Sequence, residues 1–379
     1  MLQIIDKTIG ELAVSGNLRK LPKDMSESGR ADFSSNDYLG IASRRDFVDE
    51  FLGGLPREKF LMSASASRLL ARRQDSFTRL ENTLAEAYGT GRVALLFNSG
   101  YHANTGLLSA FANTNTYVLA DKLVHASIID GIKLSGLPFA RFRHNDLSHL
   151  DRLASKAFSE GKKLIILAES VYSMDGDSAD IDGLADIKRR YAGSMLYLDE
   201  AHAVGVEGPQ GLGLCKACKA FDDVDIIVGT FGKAFASTGA FAIMLPNVRE
   251  YMVNRARSLI FSTALPPLSA EWSRFVFNKA MTMDVERQHL KTLGKALHDE
   301  LSKIGGGSTC GHIQPLIVGD PVNAVTLSAQ LRTAGFDVLP IRVPTVPPGT
   351  DRLRFSLSAN LSLDTIVILG KTLLDIYGK

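Results

Sequence analysis

Five short segments carry side chains whose types and spacing suit group-transfer chemistry. In VDIIVGTFGK (224–233) an apolar run ends in a small-residue turn that presents Lys233. A lysine at such a mouth forms a Schiff base when its amine is desolvated or held near another cation. In YLDEAH (197–202), Asp199 closes an apolar run and His202 follows three residues on. A carboxylate there can keep a pyridinium nitrogen protonated and make that ring an electron sink. In FNSGYHAN (97–104) a strand runs into Ser-Gly, where a helix can start. Free N–H groups at a helix start attract phosphate, with Tyr101 or His102 as side-chain contacts. DKLVHAS (121–127) offers His125, an imidazole able to stack on a flat ring, and RLRFS (352–356) offers Arg354. A strand-borne arginine suits bidentate capture of a carboxylate. Each segment alone has a plainer reading: a surface lysine, a strand-end cap, a helix-start histidine, a surface ion pair. Their order along one chain is what joins them into a site.

The elements that must position these groups alternate. Short apolar runs recur at 93–97, 117–120, 139–142, 164–168, 195–198, 226–228 and 240–244. Helical spacing separates several of them, for example at 77–88, 148–159 and 183–191. This pattern predicts an α/β fold: a mostly parallel central sheet with helices on both faces, binding ligands at the strand ends. Residues 1–20 have helical spacing, and 32–39 read as a short strand and turn. After Pro246 a long helical stretch, about 268–304, precedes the glycine cluster 305–307. Strand-like segments at 313–318, 338–341 and 353–357, a helix at 324–334 and a C-terminal helix complete a smaller α+β domain. The expected division is an N-terminal helix and arm over 1–45, a large domain over 46–265 and a small domain over 266–379.

Bulk properties exclude several classes. The chain of 379 residues is 45% hydrophobic and 22% charged, as in ordinary soluble domains, and its formal charge of +2 gives no basic field for nucleic acid. No apolar run approaches the roughly 18 residues of a membrane helix, and the N-terminus lacks a signal-peptide core. The expected location is cytoplasmic. Of three cysteines, Cys215 and Cys218 form a C-x-x-C pair, but no second pair or histidines stand at ligand spacing. No metal is expected.

Over 33–359 the sequence resembles the α-oxoamine synthase family of fold type I enzymes, which use pyridoxal 5′-phosphate (PLP). The resemblance rests on FSSNDYLG (33–40), VYSMDGD (171–177), DEAHAVG (199–205), GTFGKAFASTGA (229–240), IFSTALPP (260–267) and PTVPPGTDRLRFSLSA (344–359). HNDLSHL (144–150) and IQPLIVGD (313–320) favour the biotin branch over relatives that use glycine or serine. By matching position, Lys233 is the Schiff-base lysine and proton carrier, Asp199 the partner of the pyridine nitrogen and His125 the stacked ring. His202 matches the partner of the phenolic oxygen, and Ser173 a residue close to the ring or phosphate. Gly100, Tyr101 and Thr230 match phosphate-side positions. Ser262 and Thr263 match residues that reach the phosphate from a neighbouring subunit, which implies a homodimer. Arg354 matches the clamp on the amino-acid carboxylate, with Asn36, Thr345 and Arg19 on the substrate side. The implied reaction condenses L-alanine with pimeloyl-CoA or a pimeloyl-carrier protein and releases CO2.

One stretch departs from the family. Where relatives carry Ser-Gly and then a histidine before Leu-Glu, this chain has Arg72 at the glycine and Phe77 at the histidine. The cation is bulky and its backbone less free, in a region the family places near the acyl-donor entrance. A relative using another amino acid or acyl thioester, and a non-catalytic PLP-binding homologue, are the alternative readings.

Overall fold

The structure, a computed structural model, describes residues 1–19, 21 and 29–378. The chain folds as two compact units, one of residues 39–172 and 178–287, the other of 1–38, 173–177 and 288–379. These limits differ from the division expected from sequence. The stretch expected as one helix over 268–304 is two, Pro267–Ala280 and Asp284–Ser302. The first packs on the helix Asp75–Tyr88, which carries the larger unit past residue 265.

The larger unit is built on seven strands: β1 (Val93–Phe97), β2 (Thr116–Asp121), β3 (Phe139–Phe142), β4 (Lys163–Glu169), β5 (Met195–Asp199), β6 (Ile226–Thr230) and β7 (Ala240–Met244). Their order is β1-β7-β6-β5-β4-β2-β3, and β7 alone runs antiparallel to its neighbours. Strands β6 and β7 are buried throughout, and β4 and β5 at every residue but the first, as expected of strands covered on both faces, and this explains their near-continuous apolar runs. The helices Gly100–Ser109 and Ala126–Ser135 pack together on one face. Their contact is close because Gly131 has no Cβ; one placed there would stand 2.8 Å from the Asn104 carbonyl oxygen and 3.0 Å from Leu108 Cβ.

In the smaller unit Arg352–Ser356 lies between the antiparallel strands Leu339–Ile341 and Ile313–Ile317. Ala31–Asp32 pairs with Phe336–Asp337, so the short strand expected at 32–39 is two residues long and begins at Ala31. Successive strand side chains point to opposite faces. Leu353 and Phe355 therefore enter the core, where Phe355 meets Phe33 edge to face, while Arg352 and Arg354 share the other face. The N-terminal helix is Leu2–Val14 and buries none of its residues; it ends before the expected 20, because the chain turns at 15–16 with Gly16 at φ 69°, and Lys20 lies outside the described residues. Among the described residues no helix is long and apolar enough to cross a membrane.

Candidate active site

Three neighbouring strands of the larger unit end together. Glu169 and Asp199 are partners in the β4–β5 register, and Thr230 ends β6 beside them. Beyond Thr230 the chain turns through Lys233 and returns as β7, with Ala240 opposite Thr230. Two helix starts close the same space. Ser99 caps the helix Gly100–Ser109 by accepting the His102 N–H, and His125 caps Ala126–Ser135 by accepting the Ser127 N–H. The outcome is a cavity of about 160 Å³ lined by Gly100, Tyr101, His125, Asp199, His202, Thr230 and Lys233, all expected from the sequence. Asn104, Ser127 and Glu169 line it too. They stood inside the motifs or at a strand end, but nothing local marked them. Asn104 faces inward one helical turn after Gly100, and Ser127 follows His125 by two, spacings that acquire meaning only once the two helix starts are placed at the cavity.

The polar groups are tightly arranged. Lys233 Nζ lies 2.6 Å from His202 Nε2, so a proton can pass between amine and imidazole. Asp199 Oδ1 accepts the Ala201 N–H at 2.9 Å, and Oδ2 accepts from Asn104 Nδ2 at 2.7 Å. Thr230 Oγ1 donates to the Gly239 carbonyl at 3.1 Å and accepts the Gly232 N–H at 3.2 Å. The Tyr101 hydroxyl is taken by Asp130 at 2.7 Å, which leaves its ring as the cavity wall. His102 turns back to Ser99 instead of entering the cavity. His125 is exposed as a residue, but its Nδ1 edge points inward to Ser127. Burial pushes its pKa below the usual imidazole range, opposed by Asp199 and reinforced by Lys233. The Glu169 carboxylate accepts the His125 N–H. An amine, a buried carboxylate, an imidazole and a helix N-terminus in one cavity form the donor set that PLP requires.

Glu200 points away from Asp199, as alternation dictates. It is fully buried, and its Oε1 accepts the Cys215 N–H at 2.9 Å. Burial pushes its carboxyl up to about 7, against the pull of that N–H. Cys215 beside it is buried and its thiol pushed well up by desolvation; Cys218 is pushed up to about 11 for the same reason, and its Sγ contacts the Cys215 carbonyl.

The smaller unit gathers the substrate-side residues in two places. Arg354 Nε donates to the Ser173 carbonyl at 2.6 Å, and Nη2 to Asn36 Oδ1 at 3.1 Å and Tyr38 Oη at 3.4 Å. Arg352 on the same strand face pairs with Asp175 at 2.7 Å. Ser173 thus joins the arginine through its backbone. Arg19 Nη2 donates to Thr345 Oγ1 at 3.0 Å. Ser262 and Thr263 do not line the lysine cavity; both contact Asn98. They are bound to the departing stretch by a bridge between Ser67 and Thr263. In that stretch Arg72 is exposed, whereas Phe77 is buried under the Arg68 guanidinium, 4.7 Å from its ring centre.

Residues 30–372 match the aminotransferase class I and II family. The chain is 45% identical over 348 residues to an 8-amino-7-oxononanoate synthase of Chlorobaculum parvum, covering 90% of this chain and 88% of that one. Among solved structures it is similar to a serine palmitoyltransferase of S. paucimobilis with a bound PLP–myriocin aldimine, at TM-score 0.88 and 28% identity over 98% of this chain and 97% of that one. It is also similar to the 8-amino-7-oxononanoate synthase of Francisella tularensis, at TM-score 0.77 and 27% identity over 93% of this chain and all, 100%, of that one. With the lysine cavity and these relatives, the chain belongs to the class I and II aminotransferase family of fold type I PLP enzymes, in its α-oxoamine synthase branch.

Proposed function

We propose that this chain catalyses the 8-amino-7-oxononanoate synthase reaction: L-alanine and a pimeloyl thioester yield the amino ketone, CO2 and the free thiol. The observation that carries a catalytic reading is the Lys233–His202 contact in a cavity shared with Asp199. The choice among the family's reactions rests on relatives at 40–45% identity that bear this name.

When bound, PLP supplies a carbonyl that condenses with amines and a ring that withdraws electrons from a substrate carbon. The rest falls to the chain's own side chains. Lys233 Nζ takes and returns the substrate proton, and His202 Nε2 is the adjacent site to which it can be passed. Asp199 presents its carboxylate to the ring nitrogen, with Oδ1 and Oδ2 each steadied by an N–H donor. The start of the 100–109 helix and Thr230 offer donors to phosphate. Arg354 suits the alanine carboxylate through its fork of N–H donors, with Asn36 beside it; Arg19 and Thr345 suit the acyl donor.

The working form in this reading is a cytoplasmic homodimer. Its support is a set of large apolar side chains left exposed along the two bridged stretches: Met62, Leu69, Leu70 and Phe261. The test is rescue of a biotin-requiring strain lacking the synthase, paired with thiol-release assays of alanine, glycine and serine against pimeloyl and other dicarboxylyl donors. Rescue, with alanine and pimeloyl donors preferred, is the expected result. No rescue, together with a preference for another donor, would assign the chain to a different acyl thioester.

A further inference from the structure

We propose that Asn104 is a positioning residue of the cofactor site, one amide that orients the Asp199 carboxylate and, through the Ser127 hydroxyl, steadies the His125 ring. Its side chain makes three hydrogen bonds. Nδ2 donates to Asp199 Oδ2 at 2.7 Å and to Ser127 Oγ at 2.9 Å, and Oδ1 accepts the Tyr197 O–H at 2.6 Å. Asn104, Ser127, Tyr197 and Asp199 are all buried, none more than 5% exposed.

The direction of each bond follows from what each group can offer. A carboxylate only accepts, so the NH2 and not the carbonyl of the amide must face Asp199. Reversing the amide would oppose its oxygen to the carboxylate, so Asp199 sets the orientation of the amide. With Oδ1 turned away from Asp199, the buried Tyr197 hydroxyl donates to it and holds it there. Ser127 Oγ accepts from Asn104, and its own hydrogen is directed to His125 Nδ1 at 2.7 Å. The Ser127 backbone N–H also donates to Nδ1, at 3.2 Å. Two donors on Nδ1 place the proton of the neutral ring on Nε2.

Local packing holds the arrangement. Asn104 sits on the helix 100–109 and Ser127 at the start of 126–135, and these helices approach as closely as they do through Gly131. The titratable and charged groups around Asp199 and His125 are Lys233, His202, Glu169, Tyr101, Asp130 and Tyr197. None of them donates to Asp199 Oδ2 in place of Asn104.

This inference rests on the PLP reading of the cavity, and the test separates the two. The near-isosteric Asn104→Asp variant sets an oxygen where Asp199 now meets an N–H. In holoenzyme, the visible band of the lysine-bound cofactor is titrated with pH, alongside cofactor content, thermal midpoint and exchange of the alanine α-proton. We expect the titration midpoint to rise by about one pH unit, as a neighbouring carboxylate shifts a site by one to several. Exchange should slow about 10²-fold with KM for alanine little changed, and the thermal midpoint should stay within about 3 °C. Tyr197→Phe, which removes the donor to Asn104 Oδ1 without touching Asp199, should move the midpoint the same way by less. A midpoint unmoved in protein that retains the band overturns the role of Asn104, as does activity lost only in step with cofactor. If Asn104→Asp fails to fold or to load, Tyr197→Phe decides by the same criteria. Wild-type protein with no visible band would instead overturn the cofactor reading itself.

Discussion

The floor of the lysine cavity and the 63–77 stretch both depend on charged side chains of the larger unit, yet they treat charge in opposite ways. At the floor, Asp199 and Asn104 are buried and every bond between them is specified. In the 63–77 stretch, Arg72 and Arg73 stand exposed, while Arg68 is tied to Glu81 at 3.1 Å and Asp75 is paired with Lys59. Burial without partners costs several kcal/mol, so a buried polar group must be satisfied. Exposed charges carry no such constraint. The floor is therefore fixed by its own physics, and the stretch is free to vary with what approaches it.

The sharpest way to break this comparison is at the lysine. Lys233→Ala should abolish the visible cofactor band and lower turnover by at least about 10³-fold, which absorbance and thiol-release assays read directly. Phe77→Ala tests whether the stretch has a rigid point of its own: emptying this buried ring site should cost about 3–4 kcal/mol in urea unfolding. Glu200→Gln tests the back of the floor through pH. Burial raises the Glu200 carboxyl to about 7 from the ordinary 4.5. The folded state therefore holds its proton where the unfolded chain has lost it, and wild-type stability falls as pH rises across that interval. The variant should lack this slope, gaining on the wild type by about 3 kcal/mol between pH 4 and 8. Gly131→Ala should cost about 1–3 kcal/mol by wedging the two helices apart, and should loosen alanine proton exchange more than cofactor binding. Arg72→Gly closes the series: stability should stay within about 0.5 kcal/mol, while the relative rates with different acyl donors shift.

The alternation of strands and helices was legible because buried parallel strands write continuous apolar runs, and those at 93–97, 139–142 and 240–244 were found at their observed limits. Lys233, Asp199 and His125 were legible because the chemistry leaves few substitutes for them. Asn104 was not. An asparagine within a helical run has no local signal; its meaning comes from Tyr197 and Asp199, more than ninety residues away, and from β-sheet order that no short window contains. The division of the helical stretch at 281–283 was missed for a similar reason, since apolar spacing continues across it. Ser262 and Thr263 were named by resemblance alone, and they lie outside the lysine cavity.

The turn bearing Lys233 is stapled at both ends. Phe231 N–H donates to the Gly239 carbonyl and Ser237 N–H to that of Phe231, while β6 and β7 pair directly below. Thr230 and Ala240, the last and first residues of the two strands, pair at the base of the turn and pin it there. Reach must come from the four methylenes of the side chain, whose torsions relax in picoseconds to nanoseconds. In the proposed reaction Lys233 is thus a fast tether on a still mount.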